Sequence, residues 1–311
     1  MDICYVILAH KYSPQVQQLV QRLNAKNCFF YIHVDATVSL EPFTTKLSIL
    51  ENVWFIKERE QGTWGGLGIV KATLNALHLI SSHQRKGYCI LLSGQDYPLK
   101  NNQYILEYLQ TNRGTNFADT WALPSERWYY GGMDRIQQYK FDLASSKQKY
   151  IVIPSIWSRL FHRHPAKNLR KVIKLLKSGV WPVRLLLPRR FPSGLKPFGG
   201  SQWWAITTET AEKIIFFVKN HRSYLHYHKF TLLPDEIFFQ SLIRHFSALE
   251  NSSLKPSLTY VRFATQEDAH PVAFTMENKD ELHEVRTRYE GKLFARKFHP
   301  NDPILDWLDS Q

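Results

Sequence analysis

Strand-length apolar runs alternate with helix-spaced apolar patterns through the first third of this 311-residue chain, and that alternation restricts the fold more than any other feature. Residues 3–9 (ICYVILA) are one continuous apolar run. Ser13-Pro14 then reads as an N-cap followed by Pro at the first helical position, and Val16, Leu19, Val20 and Leu23 recur at helical spacing. A second run, 28–34 (CFFYIHV), ends on Asp35, and a third, VWFI, occupies 53–56. After Gly65-Gly66 comes a helix with Leu67, Val70, Leu74 and Leu77 on one face, then YCILL at 88–92 and a helix near 102–111. This is the spacing of βαβ units, and it predicts a mostly parallel sheet flanked by helices. Ligands of such sheets lie beyond the carboxyl ends of the strands. Asp35, Thr63-Trp64 and Gln95-Asp96 all fall there or in the loops that follow.

The middle of the chain, about 111–198, lacks this regularity. It holds an aromatic cluster (Trp128, Tyr129, Tyr130), seven prolines, and a stretch from Leu143 to Thr208 without a single Asp or Glu. Thirteen Lys and Arg residues lie in that stretch, between Lys147 and Lys196, equal to the net charge of the whole chain, +13. A local field of that size favours an anionic partner such as phospholipid headgroups, nucleic acid or an acidic glycan. Residues 167–177 read as a short basic amphipathic helix with Leu169, Val172, Ile173 and Leu176 on its apolar face. Regular structure resumes with a strand at 201–206, a helix at about 209–219, and a helix opened by Pro234-Asp235-Glu236. Cys4, Cys28 and Cys89 each sit in an apolar run and read as small core residues of a reducing compartment. No 18-residue apolar stretch spans a membrane, and the first run starts too early for a leader to precede it.

Several chemistries lack their motifs. There is no G-x-G-x-x-G, no P-loop, no H-E-x-x-H and no G-x-S-x-G, and His162 and His164 read as exposed. No Asp-x-Asp pair is present to hold a divalent ion against a diphosphate. Side-chain cations would have to meet that charge, and Arg296-Lys297, flanked by apolar residues, is the best placed pair; the motif alone reads more readily as a solvated basic pair. A displacement at a sugar carbon needs one carboxylate to take a hydroxyl proton. Glu236 suits that role, with Pro234 fixing the backbone and apolar neighbours desolvating the carboxyl. An acidic residue in a first helical turn is also favoured by the helix dipole alone.

Seven segments, in order along the chain, carry a family likeness: Ile7-Leu-Ala-His-Lys11, Tyr31-Ile-His-Val-Asp35, Gly62-Thr-Trp-Gly-Gly66, Leu91-Leu-Ser-Gly-Gln-Asp-Tyr-Pro-Leu-Lys100, Gly199-Gly-Ser-Gln-Trp203, Leu232-Leu-Pro-Asp-Glu236 with Phe238-Phe239, and Leu293-Phe-Ala-Arg-Lys-Phe298. Together they resemble the core-2/I-branching N-acetylglucosaminyltransferases of glycosyltransferase family 14, in a bacterial-type form; the family also contains the peptide O-xylosyltransferases. The resemblance implies a GT-A, Rossmann-like α/β fold and an inverting transfer from a UDP-sugar with no divalent metal or other cofactor. By the same resemblance Glu236 is the catalytic base, and Arg296 and Lys297 hold the diphosphate. Leu8 (through its backbone), Asp35, Thr63 and Trp64 meet the uridine end, Gln202-Trp203 form the donor-side loop, and Asp96 faces the sugar. Two departures stand out. Val272, in His270-Pro-Val272, replaces an Arg common in the family, and Phe263 stands where a Trp is common.

The expected organisation is one GT-A-type catalytic domain over 1–311. It comprises a nucleotide-binding half (1–110), a variable basic insert or acceptor region (111–198), and a catalytic and diphosphate-binding half (199–311). UDP-N-acetylglucosamine is the first choice of donor. UDP-xylose is the alternative, towards which the T-L-L-P and F-A-R-K-F wording leans. The expected acceptor is a glycan or lipid-linked glycan in a cytoplasmic setting, with peripheral contact to the inner membrane face through the basic 147–196 stretch. A non-catalytic module that binds anionic membrane or polysaccharide is the reading of another class. Nucleic acid is not an expected partner, because charge is its only support and no binding motif accompanies it.

Overall fold

The computed structural model describes residues 1–143, 149–265 and 271–311. The predicted runs become strands β1 (Asp2–Ala9), β2 (Cys28–Val34), β3 (Val53–Phe55) and β4 (Gly87–Ser93), with helices α1 (Ser13–Leu23) and α3 (Gly68–Ser82) between them and a shorter α2 (Glu41–Leu47) before β3. Strand β5 (Asp96–Pro98) and helix α4 (Asn102–Thr111) follow. Asn101 caps α4 by accepting the Tyr104 N–H at 2.8 Å. Ser13 makes no side-chain cap on α1; Tyr12, in a left-handed conformation, turns the chain into it, and Pro14 sits in the first turn.

Seven strands form the main sheet, in the order Leu254–Lys255, Asn116–Ala118, Trp204–Thr207, β4, β1, β2, β3. All neighbours are parallel except Trp204–Thr207, which runs against both β4 and Asn116–Ala118. The expected Rossmann-like, mostly parallel α/β architecture with flanking helices is therefore the one observed. The continuous apolar runs are explained by burial on two faces. Ile3, Tyr5 and Ile7 point into one core layer, Cys4 and Val6 into the other, and β2 and β4 alternate in the same way. Helices α1 and α2 and the C-terminal helix Pro303–Asp309 supply the first layer; α3 and the helices Thr208–Asn220 and Phe238–Leu249 supply the second. The three cysteines are buried and free. Burial pushes the Cys28 thiol up to about 11, as suits a core residue.

A smaller, three-stranded sheet begins just beyond the end of β4. Phe294–Arg296 lies parallel to Thr259–Val261 and antiparallel to β5, with Arg296 opposite Asp96. The irregular middle contributes an antiparallel pair, Gln138–Asp142 with Tyr150–Pro154, covered by the helix Pro165–Lys177. The expected basic amphipathic helix is present, and most of its apolar face turns outward. Asn168 and Leu175 point inward, with Val172 half-buried, while Leu169, Ile173 and Leu176 face outward at 57%, 44% and 43% exposure. The small core over that pair takes up one stripe of the helix, and the more apolar stripe beside it has no partner among the described residues. No helix among the described residues is long and apolar enough to cross a membrane.

Candidate functional site

The sheet order reverses direction between β1 and β4: the chain runs outward through β2 and β3 on one side, then returns to β4 on the other. Such a switch point opens a crevice at the carboxyl ends of the strands. Leu8 lies there, paired with His33 on one side and Ser93 on the other, and its carbonyl accepts the Gly94 N–H at 3.1 Å.

Asp35 follows β2 and is buried. One carboxylate oxygen accepts the Thr37 N–H (2.9 Å) and hydroxyl (2.6 Å), and the other accepts the Gly62 N–H at 2.6 Å. These bonds lower its pKa against the opposing effect of burial. Asp35 thus ties the 62–66 loop to the end of β2. That loop carries Thr63 and Trp64, whose ring lies 5.9 Å from that of Tyr150. Gly65 adopts φ +66°, and its carbonyl accepts the Leu233 N–H at 3.2 Å, so the loop rests on the segment leading to Glu236.

On the β4 side, Asp96 is fully enclosed. It accepts the Ser93 N–H at 2.6 Å and hydroxyl at 3.1 Å, and pairs with Arg296 at 2.8 Å. Burial raises its pKa while Arg296 and Ser93 oppose the rise. The guanidinium of Arg296 lies 4.3 Å from the centre of the buried Trp203 ring. Asp96 and Trp203 therefore fix Arg296 between them. Lys297 follows, and its pKa is lowered by partial burial and by the nearby charges of Arg296 and Lys11. No carboxylate forms an ion pair with Lys11 or Lys297 among the described residues. Three cations thus gather at the ends of β1 and β4. Val272 takes part through its backbone: its N–H donates to the Arg262 carbonyl at 2.8 Å, and its carbonyl accepts the Lys297 N–H at 3.4 Å. His270, before it, lies outside the described residues, as does Lys147 of the basic stretch. Phe263 is 48% exposed.

Glu236 ends a 3-10 turn, Pro234–Glu236, and the helix proper begins at Phe238. This corrects the expectation that Pro234 opens that helix and removes the first-turn dipole as the reason for Glu236. The carboxyl that apolar neighbours enclose is that of Asp235: burial first, and then the charge of Glu236, push it up to about 7. The Glu236 side chain is 30% exposed, and its Oε2 accepts a hydrogen bond from Arg135 Nη1. Arg135 stacks 3.8 Å over the ring of Trp128. The Gly200 N–H donates to the Glu236 carbonyl at 2.9 Å, which brings the Gly199–Trp203 loop, with Gln202, alongside. A side chain at Gly200 would come within 1.8 Å of the Asp119 carbonyl, so only glycine allows this approach.

Sequence reasoning did not single out Arg135, Ser93 or Lys11. Ser93 and Lys11 fall within quoted motifs, so their position beside Asp96 and Lys297 was available. Arg135 belongs to the irregular middle, where no local signal marks it. Among the described residues, no group of three or more His, Cys, Asp or Glu side chains is placed to hold a metal ion.

Residues 3–286 match the profile of the family described as "Core-2/I-Branching enzyme". Xylosyltransferase 2 of Rattus norvegicus is 24% identical over 99% of this chain and 33% of its own length, and that of Homo sapiens is 24% identical over the same shares. A xylosyltransferase of Ciona intestinalis is 22% identical over 78% of this chain and 25% of its own length. The chain thus spans about a third of the length of the curated relatives it matches. The crystal structure of apo mouse xyloside xylosyltransferase 1 superposes at a TM-score of 0.35, with 11% identity over 96% of this chain and 98% of that one.

Proposed function

This chain belongs to the Core-2/I-Branching enzyme family, and on that premise we propose that it is an inverting glycosyltransferase that moves a sugar from UDP to a glycan hydroxyl without a divalent metal. The observation that carries the proposal is the convergence of Lys11, Arg296 and Lys297 at the switch point, with Glu236 held nearby through Gly200. The leaving diphosphate needs its developing charge met in place, and preoriented cations do this with little reorganisation. Asp96 and Trp203 supply the preorientation of Arg296. Glu236 takes the proton of the acceptor hydroxyl. The acceptor oxygen bonds to the anomeric carbon on the face opposite the diphosphate, the bond from that carbon to the phosphate oxygen breaks, and UDP leaves with the electron pair. Arg135 orients the carboxylate through Oε2 and leaves Oε1 for the proton.

Leu8, Asp35, Thr63 and Trp64 form the uridine end, with Asp35 shaping the loop as well as offering acceptor lone pairs. N-acetylglucosamine is the proposed sugar. Xylose is the second reading, favoured by the xylosyltransferase relatives. The test is Glu236→Gln assayed against UDP-sugars. Transfer should fall at least about a hundredfold while UDP still raises the melting temperature. Near-normal turnover would remove Glu236 as the base.

The acceptor proposed is a glycan carried at an anionic membrane surface on the cytoplasmic side. Its support is the outward stripe Leu169, Ile173 and Leu176, together with Trp157 and Trp181 at 69% and 77% exposure, set among the cations of the 147–196 stretch. Exposed apolar and aromatic groups ringed by Lys and Arg are the features of interfacial binding. No nucleic-acid role is proposed.

A further inference from the structure

A cavity of about 460 Å³ opens between the strand Gln138–Asp142, the 183–190 segment and the helix Arg222–His228. Four arginines converge on it: Arg184, Arg189, Arg190 and Arg222. None of the four has an ion-pair partner among the described residues. Arg189 is the most constrained, at 8% exposure. It donates to the carbonyls of Gln138 and Phe230 and, at 2.6 Å, to the Thr231 hydroxyl. Its Nε is buried without an acceptor. The rings of Tyr227 and Tyr139 lie 4.4 Å and 5.2 Å from its guanidinium. Arg184 contacts the Nε2 of His226 beside it.

A buried guanidinium stays charged, and burying it without a counter-ion is costly. Three further cations around the same space add repulsion. A phosphoryl group accepts from arginine forks and would relieve both terms. The cavity's surroundings say which kind of phosphoryl compound fits. The segment that supplies Arg184, Arg189 and Arg190 also carries Val183, Leu186 and Leu187, exposed at 64%, 60% and 50%. The Trp157 indole Nε1–H donates to the Leu186 carbonyl at 2.7 Å, so this exposed ring adjoins them. A cationic cavity therefore opens beside an uncovered apolar surface.

We infer that this cavity receives the phosphoryl headgroup of a membrane amphiphile, whose apolar chain lies against Leu186, Leu187 and Trp157. The inference rests on the membrane reading above and goes beyond it by assigning a discrete headgroup site. That site is separate from the donor cations at the switch point.

The test uses the full chain and two double variants at exposed positions, Arg190→Ser with Arg222→Ser, and Leu186→Ser with Leu187→Ser. Binding is measured by co-sedimentation with phosphatidylcholine vesicles containing phosphatidic acid, and by thermal shift with glycerol 3-phosphate and with inorganic phosphate. The arginine variant should lose about tenfold or more in vesicle affinity and lose the glycerol 3-phosphate shift. The leucine variant should lose vesicle affinity yet keep that shift. Parental vesicle binding by the arginine variant, or an equal phosphate shift in parent and arginine variant, would overturn the site. Full vesicle binding by the leucine variant, with phosphate binding intact in the parent, would make this a site for soluble phosphates and overturn the lipid assignment. The UDP-induced shift, expected in all three proteins, reports the donor site independently.

Discussion

The carboxylate of Asp96 has no solvent contact, and its charge is met by Arg296 and by Ser93. Removing Arg296 would strand that charge. Breaking one side of an enclosed pair costs about 3–5 kcal/mol, and the 19% exposure of Arg296 puts this case at the lower end. Arg296→Ala should lower the urea midpoint accordingly, and adding Asp96→Asn should recover part of the loss. No recovery in the double variant would mean that the two charges do not interact. Asp235 gives a pH signature. An unfolded aspartate ionises near 3.9, whereas folded Asp235 ionises at about 7 because burial and Glu236 disfavour its charge. Between these values the folded state keeps a proton that the unfolded state has lost, so stability falls as pH rises through the window. Asp235→Asn should flatten that fall, and equal slopes in parent and variant would assign it to another group.

At the scale of elements, the helix Pro165–Lys177 separates two roles that its composition confounds. Leu175 anchors it to the small core of Tyr139, Phe141, Ile151 and Ile153. Leu175→Ala should destabilise this region by about 2–5 kcal/mol. Leu169, Ile173 and Leu176 contribute little to that core, and changing all three to Ser should shift stability by no more than about 0.5 kcal/mol per site while abolishing vesicle binding. A large loss of stability in the triple variant, measured by denaturant titration, would place that face in an internal contact. The 62–66 loop and the Leu232–Glu236 segment form a second unit. Gly65 needs its positive φ to present the carbonyl that Leu233 reaches, so the loop is tied to the segment that carries Glu236.

For the whole molecule, the main sheet, the strand Phe294–Arg296 paired with β5, and the Gly199–Trp203 loop bring the ends of the chain to one crevice. The proposed nucleotide-binding residues of the first hundred positions and the cations Arg296 and Lys297 of the last twenty meet there. If those cations stabilise the leaving diphosphate, transfer or donor hydrolysis should persist in excess EDTA. A complete loss, restored by Mn²⁺, would defeat the metal-free mechanism and shift attention to Asp35 and Asp96 as ligands.

Strand positions, the two-faced burial of β1, β2 and β4, and the buried cysteines were legible because each depends on local apolar pattern. The ordered motifs likewise marked Leu8, Asp35, Asp96, Trp203, Glu236 and Arg296 before their places were known. Other features depend on contacts across large separations that no local period records. The strand at Trp204–Thr207 reads as a strand, but its antiparallel direction follows from packing against β4. Arg135 meets Glu236 from 101 residues away, out of a stretch with no recognisable pattern. The helix Pro165–Lys177 has an apolar stripe visible to any periodicity test, yet the small core beneath it takes a neighbouring stripe and leaves that one outside. Amino-acid pattern thus determined where the strands of the main sheet and its first helices form, and it supplied most of the candidate site residues. Tertiary structure alone decided which charges face each other and which apolar face remains uncovered, because both depend on how distant elements pack.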